Sequence, residues 1–337
     1  MLGDRISADA IMRTGFGFWA SKTLLSAVEL GLFTELAAGG LPREELRQRL
    51  GLHERGARDF FDALVAVGFL QREGDFYSNA PEADFYLDRN KPSYIGGVLD
   101  MAHRRLWQSW ASLTEALRTG LPQNEAKHSG DFFGRLYSDP EQLKIFLNGM
   151  SGTSIPAVQQ ISNAFPWAKV SSFADIGTAQ GAVPVQIARD HNHLQGIGFD
   201  LPPVQPVFED YVRSHGLEKR LTFLGGDFLS GPLPSADVLI MGHILHDWDQ
   251  RTKDMLLAKA FAALPEGGAL IVYDMIIDDE RRDNAFGLLM SLNMLIETPG
   301  GFDYTGAECS AWMTRAGFKD IRIQHLTGPY SMVVGTK

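Results

Sequence analysis

The sequence predicts an α/β protein in which a mainly helical N-terminal domain precedes a doubly wound, largely parallel sheet with a reversed last strand. From residue 171 onward, short apolar runs alternate with segments of helical length, the pattern of parallel strands joined by crossover helices. The chain then closes with two strand-like runs, 319–326 and 331–335, whose short connection is typical of an antiparallel pair. We expect an N-terminal domain over 1–120, connecting helices over 121–170 and a ligand-binding domain over 171–337.

Residues 171–200 are the most informative part of the chain, because they predict a strand, a glycine turn, a helix and a second strand in succession. The first strand runs into the turn 177–181, and apolar spacing predicts a helix over 183–189. Asp200 ends the second strand, where a carboxylate can accept hydrogen bonds from both hydroxyls of a ribose. The layout predicts a nucleoside site, and a tight turn that binds nothing is the alternative.

The glycine turn also limits the kind of cofactor. A dinucleotide fold carries the pattern G-x-G-x-x-G to hold a pyrophosphate, whereas Gly177 to Gly181 has the pattern G-x-x-x-G and follows Asp175. This turn therefore offers no recognisable pyrophosphate site. A ligand with ribose and adenine but without phosphates, such as S-adenosylmethionine, fits the pattern better.

Three further apolar runs, 221–224, 236–241 and 269–273, predict strands of the same sheet. Ligands of doubly wound sheets bind at the carboxyl ends of the strands. The glycines and polar residues that follow the predicted strands should therefore meet at one edge of the sheet: Gly177, Asp200, Asp227, His243, His246 and Asp274.

Five segments of the C-terminal half resemble, in order and spacing, the plant-type class I O-methyltransferases that use S-adenosylmethionine. Caffeate, acetylserotonin and hydroxyneurosporene O-methyltransferases belong to that group. The segments are 175–181 (DIGTAQG), 199–202 (FDLP), 226–229 (GDFL), 244–249 (ILHDWD) and 298–301 (TPGG). The resemblance covers nearly the whole chain, since residues 18–33 also look like the family's opening helix. One departure is that Thr178 and Ala179 stand where the family has glycines.

The resemblance implies a Rossmann-like class I methyltransferase sheet with S-adenosylmethionine as cofactor. In such a site Ser154 would bind the cofactor's carboxylate. Trp248 would cover one face of the adenine or pack beneath the base, and Phe228 would stack on the other face of the adenine. The implied cofactor-binding residues are Ser154, Gly177, Asp200, Leu201, Gly226, Asp227, Phe228, His243 and Trp248. The implied substrate-binding residues are Met150, Met290, Asn293, Met294 and Glu297. For Met150, plain core packing is the alternative.

His246 is the candidate general base. Methyl transfer from a sulfonium to a hydroxyl needs alignment and a base for the hydroxyl proton, and a histidine with an ordinary pKa can serve near physiological pH. The resemblance places Asp274 and Asp303 at the positions of two acidic helpers, which are usually glutamates in the family. Because aspartate is one methylene shorter, we expect a looser pairing with His246, or pairing through water. A polar residue at a helix N-terminus is the alternative interpretation of His246.

His243 precedes His246 by three residues, so a helical segment would place both rings on one face, as at the start of a metal site. No further histidine or cysteine stands at a ligand-like spacing in the sequence, and we therefore expect no metal. In the family resembled, the position of His243 contacts cofactor or substrate.

The N-terminal domain shows the order of a winged helix, with predicted helices over 41–51 and 55–67 and a hairpin over 68–77. Winged helices often bind DNA, so a transcription regulator is a competing hypothesis. The helix that would read DNA carries few basic residues, and the net charge of −10 argues against a nucleic-acid partner. In the family resembled, this domain instead forms a homodimer and helps to line the partner's substrate pocket.

The opening segment 14–33 is uniformly apolar, which predicts a single helix that packs against a second subunit. Its apolar side chains are interpreted as interface or core residues: Phe16, Phe18, Trp19, Leu24 and Leu25.

Length and composition limit the size of the core, the number of domains and the cellular location that we expect. A chain of 337 residues with 45% apolar content can bury a large core and form two domains. The single cysteine, Cys309, fits a reducing cytoplasm, and the first residues do not resemble a signal peptide. No apolar run approaches the roughly 18 residues that a membrane span needs. We expect a cytoplasmic protein with no membrane partner.

Together these observations predict an S-adenosylmethionine-dependent O-methyltransferase that acts on a phenolic hydroxyl of a small aromatic secondary metabolite. C- or N-methylation on the same scaffold is the alternative among enzymes. A non-catalytic regulator that senses S-adenosylmethionine is the alternative outside them. The presence of His246, Asp274 and Asp303 argues against the regulator.

Overall fold

The computed structural model describes residues 6–91, 93–124, 127 and 136–337, and the chain divides into two compact units, Met1–Trp107 and Gln108–Lys337. Part of the connecting segment predicted over 121–170 lies outside the described residues. Within the described ranges, every helix is too short or too polar to cross a membrane.

The first unit is mainly helical. Its helices are α1 (Asp9–Gly15), α2 (Gly17–Glu29), α3 (Leu32–Glu35), α4 (Arg43–Arg49), α5 (Glu54–Ala66), α6 (Pro81–Leu87) and α7 (Gly96–Met101). A π-helical stretch (Ala102–Leu106) leads to α8 (Trp107–Trp110), whose residues from Gln108 onward belong to the second unit. Three short strands, β1 (Leu41–Pro42), β2 (Leu70–Glu73) and β3 (Phe76–Asn79), form an antiparallel sheet in the order β1-β3-β2. The predicted order of two helices and a hairpin is confirmed, and β1 adds a strand that the sequence did not indicate.

The opening segment is not the single helix that its apolar composition predicted. The chain leaves helical geometry at Phe16 and again at Gly31, whose φ of 72° lies in the left-handed region that glycine adopts without strain. Leu25 is buried in the core of the first unit, whereas Phe16, Phe18 and Trp19 are 43%, 51% and 61% exposed. One face of the segment therefore belongs to the core, and its aromatic side chains lie on the surface.

The second unit contains a seven-stranded sheet in the order β6-β5-β4-β7-β8-β10-β9. Its strands are β4 (Ser172–Ile176), β5 (Gln195–Asp200), β6 (Leu221–Gly225), β7 (Val238–Gly242), β8 (Ala269–Asp274), β9 (Lys319–Thr327) and β10 (Tyr330–Thr336). The pairs among β4 to β8 are parallel, and β10 pairs antiparallel with both β8 and β9. The predicted antiparallel end of the sheet is confirmed. The last strand, β10, lies between β8 and β9 and not at the edge.

Helices flank this sheet: α9 (Leu113–Thr119), α10 (Pro140–Ala164), α11 (Ala182–Asp190), α12 (Gln205–Ser214), α13 (Gln250–Ala263), α14 (Ala285–Glu297) and α15 (Gly306–Ala316). Side chains define where two of them begin. The Asp249 carboxylate accepts a hydrogen bond from the Thr252 N–H at the start of α13. Thr305 and Glu308 form a reciprocal capping box at the start of α15.

The sheet is buried on both faces, as parallel sheets usually are. Phe173, Ile240 and Ile271 belong to the core on one face. The neighbouring strand residues Ala174, Leu239 and Leu270 belong to the core on the other, since side chains alternate along a strand. With both faces covered, the ends of the strands are the part of the sheet open to a ligand.

Candidate active site

The site lies where four neighbouring parallel strands end. The turn 177–181 follows β4, Asp200 ends β5, His243 follows β7 and Asp274 ends β8. Because these strands are parallel neighbours, all four features lie along one edge of the sheet.

The glycine turn 177–181 has three residues with left-handed backbone, Gly177, Ala179 and Gly181. Gly177 has a φ of 74°, and a Cβ there would lie 2.3 Å from Cδ1 of Ile244, so that a larger residue would force this neighbour to move. Ala179 has a φ of 51°, a conformation that costs a residue with a Cβ about 1–2 kcal/mol. Its N–H donates to Oδ2 of Asp200 at 2.8 Å, and this bond helps to hold the strained turn.

The carboxylate of Asp200 is anchored by the backbone. Besides the bond from Ala179, Oδ1 accepts from the N–H of Leu201 at 2.7 Å, and the Tyr137 hydroxyl lies 3.4 Å from the same oxygen. Burial raises the pKa of Asp200 to about 6, although these hydrogen bonds oppose the rise. The N–H of Gly226 donates to the backbone carbonyl of Asp200 at 2.9 Å. Oδ2, which accepts from Ala179, keeps a second lone pair for a ribose hydroxyl, so the residue fits S-adenosylmethionine.

Asp227 shapes its own turn. Its carboxylate accepts hydrogen bonds from the Leu229 N–H at 2.8 Å and the Ser230 hydroxyl at 2.9 Å, which fixes the segment that carries Phe228. The rings of Phe228 and Trp248 lie 5.9 Å apart with their planes at 88°. The two rings contact each other edge to face, and the stacking of Phe228 and Trp248 on an adenine stays a prediction.

Two helices carry the remaining residues that the resemblance implied. On α10, Ser154 is buried and Met150 is half-buried, four residues apart and hence on one face. Four implied substrate-binding residues lie on α14. Met290 is half-buried, and three are buried: Asn293, Met294 and Glu297.

Hydrogen bonds connect the α14 residues to each other and to α8. Nε1 of Trp110 donates to Oδ1 of Asn293 at 2.8 Å, and Nδ2 of Asn293 donates to Oε2 of Glu297 at 3.1 Å. Trp110 was not predicted to take part, because a tryptophan in an amphipathic segment has no distinguishing sequence signal. These bonds fix the orientation of the Asn293 amide.

His246 lies in the 3₁₀ turn Leu245–Asp247 and is 5% exposed. Its Nδ1 is 3.2 Å from Oδ1 of Asp303, within hydrogen-bond range, with the ring N–H as donor. The expected pairing through water is therefore not found with Asp303, whose contact is direct. On the other side of the ring, Nε2 lies 3.6 Å from Oδ1 of Asp247.

Asp274 is shared between both histidines. Its Oδ1 lies 3.3 Å from Nδ1 of His243 and 3.6 Å from Nδ1 of His246, which agrees with the looser pairing expected of a shorter acid. The hydroxyl of Tyr304 donates to Oδ2 at 2.6 Å. Tyr304 is 1% exposed and was not singled out in the sequence, although it follows Asp303 directly.

The charges in this cluster determine the protonation of His246. Burial lowers the pKa of His246, but Asp274, Asp303 and Asp247 outweigh burial and raise it to about 10. Burial raises the pKa of Asp247 to about 7 and that of Asp303 above its usual value. Burial would also raise the pKa of Asp274, but the two histidines lower it overall. Near neutral pH the geometry favours a protonated His246 beside an ionised Asp274, in a group that titrates as one unit.

His243 is buried but is not helical, since it has a φ of 55° and precedes the 3₁₀ turn. The backbone N–H of His243 donates to the backbone carbonyl of Tyr273 at 3.2 Å. The ligand atoms of His243, His246 and Asp274 lie within 4.8 Å of one another, a grouping that could hold a metal ion. The sequence did not indicate Asp274 as a third ligand, because it is contributed by another strand. The absence of a resident metal stays a prediction.

The loop 298–303 packs directly on the turn that carries His246. A Cβ at Gly301 would lie 2.5 Å from the carbonyl oxygen of His246, so only a glycine allows the two backbones this approach. Oγ1 of Thr298 accepts a hydrogen bond from the Gly301 N–H at 2.8 Å and fixes the loop. This packing explains the Thr-Pro-Gly-Gly motif and brings Asp303 to His246.

Comparisons with known families agree with this geometry. An O-methyltransferase domain matches residues 110–319, and an O-methyltransferase dimerisation domain matches residues 12–89. The chain belongs to the O-methyltransferase family. This O-methyltransferase is thus an enzyme that uses S-adenosylmethionine, with a mainly helical dimerisation domain before a Rossmann-like sheet, and the resemblance stated from the sequence is confirmed.

Relatives cover nearly the whole O-methyltransferase. The chain is 46% identical over 328 residues to the tetracenomycin polyketide synthesis 8-O-methyl transferase TcmO of Streptomyces glaucescens, covering 97% of this chain and 96% of the relative. It is 36% identical to the N,N-dimethyltransferase OxyT of Streptomyces rimosus, again over 97% and 96% of the two chains. The crystal structure of human N-acetylserotonin methyltransferase in complex with SAM matches with a TM-score of 0.91 at 24% identity, covering 100% and 99% of the chains. This last similarity shows the fold.

Proposed function

We propose that this O-methyltransferase methylates a phenolic hydroxyl of a small aromatic polyketide, with His246 as the general base. The observation that carries the proposal is the buried His246 ring at the end of the sheet, with Nδ1 3.2 Å from Oδ1 of Asp303. The substrate class rests on similarity to TcmO, whose name assigns it an 8-O-methyl transfer in polyketide synthesis.

The side chains around His246 can support a proton transfer. When bound, S-adenosylmethionine supplies an activated methyl group whose bond to sulfur breaks as the new bond to the substrate oxygen forms. Asp303 accepts the N–H at Nδ1 and so leaves Nε2 to take the hydroxyl proton. The carboxylate of Asp274, held by Tyr304, stabilises the imidazolium that results. Oδ1 of Asp247 lies 3.6 Å from Nε2 and is a group to which the proton can pass.

The residues that bind the cofactor and the substrate are also part of the proposal. The carboxylate of Asp200, anchored by backbone N–H groups, would accept the ribose hydroxyls beside the turn at Gly177. Ser154 on α10 would bind the cofactor's carboxylate. The remaining residues proposed to contact the cofactor are Leu201, Gly226, Asp227, Phe228, His243 and Trp248. Those proposed to contact the substrate are Met150, Met290, Asn293, Met294 and Glu297.

N-methylation is a second candidate, because a relative of 36% identity is named an N,N-dimethyltransferase. The same base could accept a proton from a protonated amine. The two candidates differ in the substrate atom that receives the methyl group, and a product analysis separates them.

The test is a product analysis with the purified protein. S-adenosylmethionine with a ¹³C-labelled methyl group is offered with a set of polyketide phenols and with the matching aromatic amines, and the carbon shift of the product shows whether the methyl group is on oxygen or nitrogen. We expect O-methyl products, and the same rate after treatment with a chelator. Products from the amines alone would replace the proposal with N-methylation. Cofactor binding without transfer to any acceptor would favour the regulator, and loss of activity on chelation would indicate a metal at His243, His246 and Asp274.

We also propose that the protein is a homodimer formed through a winged-helix domain within 1–120, followed by connecting helices over 121–170 and the catalytic domain over 171–337. The matching dimerisation domain and the exposed Phe18 and Trp19 support a dimer. On this domain both Arg58 and Arg72 lie close to Asp62, at 3.7 and 2.6 Å, which lowers the attraction of this face for nucleic acid. A cytoplasmic location remains our proposal, and the buried free thiol of Cys309 is compatible with it.

A further inference from the structure

Lys253 is a fully buried lysine in the first turn of α13, with a relative exposure of 0%. Its ammonium donates hydrogen bonds to the carbonyl oxygens of Trp248 and of Phe302, the latter at 3.1 Å. Nζ also lies 3.4 Å from the centroid of the Phe302 ring, close enough for a cation–π interaction. Lysine is rarely buried to this extent without a specific partner, so these contacts require an explanation.

The two carbonyls belong to the two segments that form the catalytic pair. Trp248 follows the 3₁₀ turn that contains His246, and Phe302 precedes Asp303. The segments already touch at Gly301, whose Cα approaches the backbone of His246. Lys253 therefore bonds to both segments within two residues of His246 and Asp303, whose side chains meet at 3.2 Å.

The charge of Lys253 also opposes the charge of the cluster. Burial lowers the pKa of Lys253 to about 8, while Asp274, Asp303 and Asp247 act to raise it. The ammonium is thus still mostly charged at neutral pH. The groups that act directly on His246 are Asp247, Asp274 and Asp303, and the ring of His243 lies beside it. Around them, Lys253 interacts with the three acids, Glu297 with Asp247 and Tyr304 with Asp274. In the neutral range Lys253 is thus mostly a cation beside three acidic groups.

We propose that Lys253 is a positioning residue, whose ammonium ties the His246 turn to the Asp303 loop and offsets the negative charge around the base. The inference rests on the proposed role of His246. A lysine that only filled space would be replaced without loss by methionine, which has a similar length and no charge. The two roles therefore differ in their effects on protonation and on the His246–Asp303 hydrogen bond.

The experiment compares Lys253→Met with a matched control. Lys337→Met removes a lysine whose Nζ also donates to a carbonyl, that of Leu264 at 2.7 Å, and lies 5.0 Å from the centroid of the Phe261 ring. The Lys337→Met variant thus loses a lysine–carbonyl hydrogen bond and a lysine–ring contact, as Lys253→Met does, but away from His246. Each protein is labelled with ¹⁵N-histidine, and the Nδ1–H resonance of His246, assigned by its absence in His246→Gln, is followed with pH. kcat and the KM for S-adenosylmethionine are measured over the same pH range.

In Lys253→Met we expect the Nδ1–H resonance to broaden or exchange faster, and kcat near neutral pH to fall about tenfold or more with KM for the cofactor close to wild type. Loss of the ammonium makes His246 harder to deprotonate below about pH 8, where Lys253 is charged in the wild type, so kcat should fall most at that end of the profile and the difference should shrink as the pH rises through about 8. Lys337→Met should match wild type in all of these. Where Lys253→Met does not fold, Lys253→Gln keeps a donor for one carbonyl, lacks the charge, and should show the same pH-dependent loss.

An unchanged Nδ1–H resonance with a pH profile of unchanged shape would overturn the inference, whether kcat is normal or is lowered equally at every pH. The proposed function fails by a separate result, namely a His246→Gln enzyme with the kcat of wild type. In that case the Nδ1–H resonance still shows whether Lys253 holds the two segments together.

Discussion

Nδ1 of His246 and Oδ1 of Asp303 lie 3.2 Å apart, although 57 residues separate them in the chain. The contact forms because the turn after β7 and the loop 298–303 pack backbone against backbone at Gly301. A carboxylate in this position fixes the tautomer of the ring and stabilises its charged form. The same contact determines how the enzyme should respond to substitution and to pH.

Replacing the base should lower the rate of the chemical step. We expect His246→Gln to lower kcat roughly 10²- to 10⁴-fold with cofactor affinity close to wild type, because a base acts on the transition state. Asp303→Asn and Asp274→Asn should each cost less, since they disturb orientation and charge balance only. His325→Gln, a change at an exposed histidine of β9, is the control. Steady-state kinetics on a weakly acidic phenol measure kcat, and calorimetry measures the affinity for the cofactor. A normal kcat in His246→Gln would remove His246 from the mechanism.

The rate should keep rising with pH above neutrality. His246 must be neutral to accept a proton, and the surrounding carboxylates raise its pKa to about 10 in the free protein. The reactive fraction therefore increases as the pH rises toward that value and is lost as the pH falls. The measurement is kcat/KM against pH on a weakly acidic phenol, with a more acidic phenol as the control whose dependence should be smaller. A profile that is level above pH ~7 would show that His246 has an ordinary pKa in the working enzyme.

Asp200 should contribute to cofactor binding and not to catalysis. Asp200→Ala should weaken S-adenosylmethionine binding by about 1–3 kcal/mol, the cost of losing charge-assisted hydrogen bonds. Because the pKa of Asp200 is raised to about 6, wild-type affinity should also fall as the pH drops through that value. Calorimetry tests both, with Asp210→Ala on the exposed face of α12 as the control. Equal affinity in Asp200→Ala, or measurable binding of NAD, would contradict the assignment.

The strained Ala179 gives a prediction about stability. A glycine adopts a φ of 51° without the Cβ penalty, so Ala179→Gly should leave the free energy of unfolding unchanged or raise it by up to about 1 kcal/mol. A β-branched residue is disfavoured at this φ, and Ala179→Val should lower the free energy of unfolding by about 2 kcal/mol. Urea denaturation of the three proteins measures the difference. Equal stability of the valine and glycine variants would show that the turn is not left-handed.

The exposed aromatic residues of α2 should form the contact between subunits. Trp19, 61% exposed, touches Phe18 edge to face with ring centroids 5.9 Å apart. We expect a dimer by analytical ultracentrifugation and a monomer for Trp19→Asp, because a charge cannot be buried there without a partner. Phe76→Asp changes a residue of β3 that is also more than half exposed and should leave the dimer intact. A wild-type protein that sediments as a monomer at micromolar concentration would rule out this role.

The sequence was sufficient to predict the parts of the fold that follow local rules. The strand–turn–helix pattern around Gly177 and the acid at Asp200 are local, and both lie where the alternation of apolar runs placed them. The break of the opening helix was missed, because the apolar composition of 14–33 concealed the left-handed geometry at Gly31. The reversed strand was expected, but its place between β8 and β9 depends on pairing between distant segments.

The sequence indicated some residues of the candidate site, and others became evident only from tertiary packing. The positions of His246 and Asp303 came from a resemblance, and the direct 3.2 Å contact could not be inferred from two residues 57 apart. Tyr304 and Lys253 gave no sequence signal, because a tyrosine and a helical lysine are ordinary on any surface until tertiary packing buries them. Similarly, the perpendicular rings of Phe228 and Trp248 result from packing that no motif encodes.

The place of β10 in the sheet has a consequence for synthesis of the chain. Residues 269–274 have no antiparallel neighbour until 330–336 have left the ribosome, and in the register of the finished sheet Asp274 pairs with Ser331. The cofactor half, built on β4 to β6, can assemble from the earlier sequence alone. The nascent enzyme should thus hold its nucleoside-binding turn before its acid–base cluster is fixed.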